Sequence, residues 1–176
     1  MNSSKIAVAL AASLFLVNAS AQDKGGPSDP QIAGIVVTAN AIDIDAGELA
    51  KSHTKNKQVS EFAQLMITDH TAVNKQAGAL AKKLGVKPED SPTSQSLKTG
   101  AAENTKNLKG LKGAAFDKAY LDHEVAYHQQ VLDAIDKVLI PSAKNAELKN
   151  LIVKVRPAIA AHLDHAKMIQ SELAKK

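Results

Sequence analysis

The sequence predicts an all-α fold, a bundle of four long helices, and three observations carry that prediction. The chain is rich in alanine and poor in β-branched runs. Glycine and proline interrupt it only at spaced points. Between the interruptions, apolar residues recur every three or four positions, which places them on one stripe of a helix turning about 100° per residue. A rod with a single apolar stripe must bury it against its neighbours, and four such rods form a bundle.

Residues 1–21, "MNSSKIAVALAASLFLVNASA", stand apart from the fold. One lysine, an apolar run from Ile6 to Val17, and small residues at Ala19 and Ala21 make the pattern of a secretory signal peptide, with cleavage expected after Ala21. The expected location is therefore the periplasm or the medium beyond it. The run is too short to span a bilayer, and no later segment approaches the ~20 apolar residues that a span requires. A flexible polar leader is expected over residues 22–29 and the bundle domain over residues 30–176.

The first helix is expected to be capped by Asp29, with Pro30 in its first turn, and to run to about His53 on the stripe Ile32, Ile35, Ala39, Ile42, Ala46, Leu49. The second spans Gln58 to Gly85, and its stripe includes Val59, Ala63, Met66, His70, Val73 and Ala77. The third begins near Ala114 and stops before Pro141, along Leu121, Val125, His128, Leu132, Ile135 and Leu139. The fourth runs from about Ala146 to the C-terminus through Leu148, Ile152, Val155, Ile159, His162 and Ala166, with a bend expected at Pro157. The long polar connection between the second and third holds only Leu97, Ala101, Leu108 and Leu111 at loose helical spacing. It reads as a loop followed by a short, weakly anchored helix. Periodicity does not decide whether it carries the chain back along the bundle, as in ferritin-like topology, or decorates an up-and-down bundle.

Composition excludes several kinds of function. There is no cysteine, hence no disulfide, thiolate metal site, iron–sulfur cluster or cysteine nucleophile. The net charge is +4, with basic and acidic residues interspersed, and aromatic residues make up 3% of the chain, so a nucleic-acid partner is not expected. No organic cofactor is expected either. No nucleophile, base and oxyanion set can be read from the chain, and a non-enzymatic role is favoured.

The segment "LDHEVAYHQQ" comes close to the H-E-x-x-H pattern of zinc peptidases, but His123 and His128 are five apart and diverge by roughly 140° around the helix. One segment cannot aim both at the same ion. What survives is Glu124 with His128, four apart on a shared face. Three of the four stripes carry a histidine where an aliphatic residue is otherwise found: His70, His128 and His162. Each lies near the midpoint of its helix, and midpoints of bundled helices meet at one height whichever way the chain runs. On the first helix that height falls at Ile42 and Asp43, with Asp43 flanking the stripe, and Glu124 is the next carboxylate within reach.

A lone histidine on an apolar face is usually a core residue satisfied by one hydrogen bond. Three at one level with a carboxylate form either a polar network or a metal site. Bundle interiors hold ions through histidine and carboxylate from facing helices, which favours a single transition-metal ion, zinc, copper or iron. The di-iron pattern of Glu-x-x-His on two helices is absent. The competing reading is a metal-free interaction or chaperone-like bundle with a buried histidine network. His53 is expected to meet the C-terminal carbonyls of the first helix, His123 to lie off the stripe in a solvated or capping role, and His165 to sit at the edge of the His162 face. Asp69 and Asp122 read either as solvated residues or as supports for histidines across a helix interface. Gly47, one turn from Asp43, suits close helix approach or is merely tolerated.

The segments "FAQLMITDHTAVN", "FDKAYLDHEVAYHQQVLDAID" and "AIAAHLDHAKMI" resemble the ferritin-like family called domain of unknown function 4142, over residues 31–174. "AIDIDAGELA" is similar to the first-helix motif of that family, with Asp43 where glutamate is typical. The resemblance implies a secreted or periplasmic helical bundle whose recurrent histidines match His70, His128 and His162. It implies no particular reaction.

Overall fold

The computed structural model describes residues 25–175, so the signal-peptide reading of residues 1–21 and the start of the leader lie outside the described residues. Among the described residues the fold is all-helical. The elements are α1 (Asp29–His53), α2 (Lys57–Leu84), α3 (Pro92–Lys109), α4 (Gly113–Ala134), a π-helical turn (Ile135–Leu139) running into the short α5 (Ile140–Ser142), and α6 (Ala146–Leu173). No helix among them is long and apolar enough to cross a membrane.

Short polar side chains start α1, α2, α3 and α6, whereas α4 begins after Lys112 without a side-chain cap. The cap of α1 is Ser28 and not Asp29: the Ser28 hydroxyl accepts from the Gln31 amide, and the Gln31 side chain accepts from the Ser28 N–H. Asp29 has another task, accepting the backbone N–H groups of Lys144 and Asn145 at 2.9 Å each. Asn56 and Asn145 cap α2 and α6, and Gly85 ends α2 in the left-handed conformation at φ 64°. Two boundaries differ from the sequence expectation. The third long helix continues through Pro141 to Ser142, because the π turn and α5 carry it past the point where proline was expected to stop it. α3 is not short: capped by Ser91, with Pro92 in its first turn, it runs for 18 residues. Its anchoring is weak as expected, since only Ser94 and Leu108 along it are buried. The last helix is continuous through Pro157.

End-to-end contacts give the direction of each rod. Asp29 at the start of α1 meets the residues that precede α6, while Thr54 just past its end donates to Asp117 at the start of α4, at 2.5 Å. Gln58 at the start of α2 meets Glu172 at the end of α6, and Lys83 near the end of α2 pairs with Glu147 at the start of α6. Hence α1 and α6 run one way, and α2 and α4 the other. Neighbours pack as α1 on α2, α2 on α6, α6 on α4 and α4 on α1, with α3 laid against α1. The segment from Gly85 to Lys112 therefore travels the length of the molecule. It starts where the Glu89 N–H donates to the Pro30 carbonyl and ends where Leu108 is buried beside Ala46, Ala50 and Phe116. The connection is thus a crossover that joins the parallel helices α2 and α4.

The core falls into two parts. One cluster gathers Val59, Phe62, Met66, Phe116, Tyr120, Leu121 and Ile169 around Ala46 and Ala50. The other gathers Ile32, Ile35, Leu132, Ile135, Ile152, Ile159 and Leu163 toward the opposite end. Near the junction of the two clusters every long helix carries buried polar residues: Asn40 and Asp43, His70, Glu124 with His128, and His162.

Candidate metal centre

The three histidines meet in that layer. Ring centroids are 5.7 Å apart for His70 and His128, 5.3 Å for His70 and His162, and 5.6 Å for His128 and His162. One ligand atom from each falls within 4.8 Å of the other two, close enough for small side-chain rotations to bring them to a shared ion at ~2.0–2.1 Å. Asp43, Glu124 and His128 form a second set with the same spacing, so His128 joins the imidazoles to the carboxyls. All five side chains are buried, Glu124 completely, at 0% exposure.

Each imidazole is held at one nitrogen by an acceptor. The Nδ1 of His70 lies 2.7 Å from Asn40 Oδ1, and the Asn40 amide is oriented by its own Nδ2 donating to the Val36 carbonyl at 2.7 Å. The Nδ1 of His128 lies 3.0 Å from the Glu124 carbonyl, one turn back in α4. The Nε2 of His162 lies 2.9 Å from the Asp69 carboxylate across the interface between α6 and α2. A carbonyl or carboxylate can only accept, so the ring proton sits on the held nitrogen, and the other nitrogen keeps a lone pair. Those other nitrogens, His70 Nε2, His128 Nε2 and His162 Nδ1, are buried without a hydrogen-bond partner, as are Asp43 Oδ1 and both carboxyl oxygens of Glu124.

The electrostatics agree with that proton placement. Burial pushes the Asp43 carboxyl well above the usual carboxylate range. Burial does the same to Glu124, and Asp43 adds to it. Burial lowers His70 to about 3, helped by repulsion from His128 and His162. His128 is lowered to about 4, where burial outweighs the opposing hydrogen bond to the Glu124 carbonyl. With both imidazoles unprotonated, the contacts of His70 with Asp43 and of His128 with Glu124, both 3.5 Å, are not ion pairs.

The remaining sequence candidates divide. Asp69 supports a histidine across an interface, while Asp122 takes Lys118 and Gln170 and supports none. His53 caps the end of α1 through the Leu49 carbonyl at 3.0 Å. His165 turns away from the layer to meet the edge of Phe62. The solvated role expected for His123 is incorrect: its ring stacks on Tyr127 at 5.5 Å, and burial lowers it to about 4. Gly47 is a close-approach site, because a Cβ there would stand 2.9 Å from the Ala63 carbonyl oxygen on α2. Sequence reasoning missed Asn40, although its position three residues before Asp43 on the same helix face was a usable signal. It also missed Tyr120, whose buried hydroxyl has no partner.

The chain matches the family described as "Domain of unknown function (DUF4142)" over residues 16–169. It belongs to the DUF4142 family. Among solved structures, this DUF4142 chain is similar to "CopM in the Cu(II)-bound form", at 12% identity and a TM-score of 0.63, over 84% of this chain and 98% of the other. At that identity the likeness concerns the fold alone. No match is found among curated proteins.

Proposed function

We propose that this protein binds one divalent transition-metal ion between its four long helices, through His70, His128 and His162 with Asp43 and Glu124, and that its role is metal handling or stress protection outside the cytoplasm. The observation that carries the reading is the set of six unpaired buried atoms, three ring nitrogens and three carboxyl oxygens, turned into one layer. A buried polar atom without a partner costs about 1–3 kcal/mol, so six together would consume a stability that is typically only ~5–15 kcal/mol. The metal-free network alternative would have these atoms pair through one another, and metal content separates the two readings.

Charge supports one divalent ion rather than two. The layer offers neutral imidazoles and two carboxyls, which once ionised carry two negative charges, and no lysine or arginine pairs with either among the described residues. A single divalent ion balances them. When bound, such an ion supplies Lewis acidity or redox chemistry according to its identity. The donor set is nitrogen and oxygen without thiolate, which suits copper(II), zinc or iron. The similar structure is that of a Cu(II)-bound form, which makes copper the first metal to test.

Elemental analysis of protein purified without a histidine tag is expected to give one ion per chain, lost in both His70→Ala and His128→Ala. Stoichiometric metal retained in both variants, or none taken up by the wild type from a buffered supply, would overturn the proposal. Two ions per chain would instead divide the ligands into two sets sharing His128.

A further inference from the structure

A cavity of about 90 Å³ adjoins the layer, with Asn40, Asp43 and His70 at its inner end. Its walls are aliphatic, built by Ile35, Ile135, Leu139, Ile152 and Ile159 of the second core cluster. It remains open because Ala39 and Ala134 line it where a larger aliphatic side chain would close it. Toward the surface it is bordered by Thr93 of α3 and Gln130 of α4, both exposed.

We propose that this cavity is a binding site for a small neutral, weakly hydrated molecule of two or three heavy atoms, the class of the diatomic gases, held beside His70 and Asp43. Size sets the upper limit, since the space corresponds to about three water molecules at ~30 Å³ each. Chemistry sets the rest. Aliphatic walls give a polar solute little to replace its hydration, whereas a space of this size and lining favours an apolar guest. An anion is opposed by the two carboxyls of the layer, which carry negative charge once ionised. The occupancy of the cavity does not depend on the metal, but its place as a route to an open coordination position rests on the metal reading.

Xenon is the direct probe. A crystal of the wild-type protein under xenon pressure is expected to show the gas in this cavity, and Ala39→Leu and Ala134→Phe are each expected to abolish it. His70→Ala, depleted of metal, should keep a xenon site. Absence of xenon from the wild-type cavity overturns the proposal even if neither filled variant folds, and so does xenon retained there in a folded Ala39→Leu. The second arm loads the protein with iron(II) and titrates nitric oxide, with Ala39→Leu expected to weaken or slow its binding at least tenfold. Equal nitric oxide binding by Ala39→Leu and wild type would sever the cavity from the metal centre. Should the wild type take up no metal while xenon binds, the metal reading fails and the gas site stands.

Discussion

At the scale of single residues, the side chains behind the histidines decide what the histidines can do. An imidazole offers a lone pair to an ion only if its proton is held on the other nitrogen, and Asn40, the Glu124 carbonyl and Asp69 do this for the three rings. Removing such a partner frees the ring to change tautomer or rotate without deleting a ligand. Asn40→Ala and Asp69→Ala are therefore each expected to weaken metal binding by roughly 10- to 100-fold, while one ion per chain still binds at saturation. A competition titration against a chelator of known affinity measures this. Unchanged affinity in both variants would mean that packing alone orients the rings. Asp69 is the more telling of the two, because its side chain is 40% exposed and its loss leaves no sealed void.

At the scale of the helices, the layer depends on how closely α1 and α2 approach. Gly47 allows that approach: an added methyl would meet the Ala63 carbonyl oxygen at 2.9 Å and the Ile67 side chain at 3.0 Å. Backbone cannot rotate aside as a side chain can, so the helices must part. Gly47→Ala should destabilise the fold by about 1–3 kcal/mol through overpacking, less the ~0.5–1 kcal/mol that alanine gains over glycine in a helix. Urea denaturation checks the sign, and a more stable variant would show that the two helices separate freely. The same approach sets the distance between Asp43 on α1 and His70 on α2. α3 contributes differently, by returning the chain along α1 and bordering the cavity with Thr93 and Leu97.

At the scale of the whole molecule, a buried polar layer makes stability depend on pH and on metal. Without metal, His70 and His128 remain unprotonated down to about 3 and about 4, against 6.5 in an unfolded chain, so the unfolded state binds more protons below 6.5 and stability is lost as pH falls. Asp43 and Glu124 act in the opposite sense. Their protons persist in the folded state above the ordinary carboxylate range, so the native state binds more protons there and stability falls as pH rises, until those carboxyls ionise. Between the carboxylate range and 6.5 the two effects oppose each other. Above the ordinary carboxylate range, each proton that Asp43 or Glu124 retains in the fold lowers stability by about 1.4 kcal/mol per pH unit. Chelator-stripped wild type is thus expected to lose stability relative to Glu124→Gln in urea melts as pH increases above the ordinary carboxylate range. A saturating divalent ion should remove the decline and add ~2.7 kcal/mol at a hundredfold excess over its Kd. A stability difference between wild type and Glu124→Gln that does not change with pH would contradict the raised carboxyl.

The helices themselves were legible in the chain, because apolar spacing is a local property that survives without knowledge of partners. Stripes such as Val59, Ala63, Met66 and His70 announced both the buried face and the intruding histidine. Helix midpoints then placed His70, His128 and His162 at one depth, and the family motifs marked the same residues. Where local signals compete, the chain is ambiguous: Asp29 resembles a cap beside the true cap Ser28, and Pro141 resembles a stop that a π turn carries the helix past. The rest was settled by packing in three dimensions. The crossover through α3, the choice of Asp69 over Asp122 as a histidine partner, the inward position of both Asp43 and Glu124, and the cavity beside them are all relations between helices. Such relations depend on which faces meet across an interface, and a one-dimensional pattern records the face of each rod without recording its neighbour.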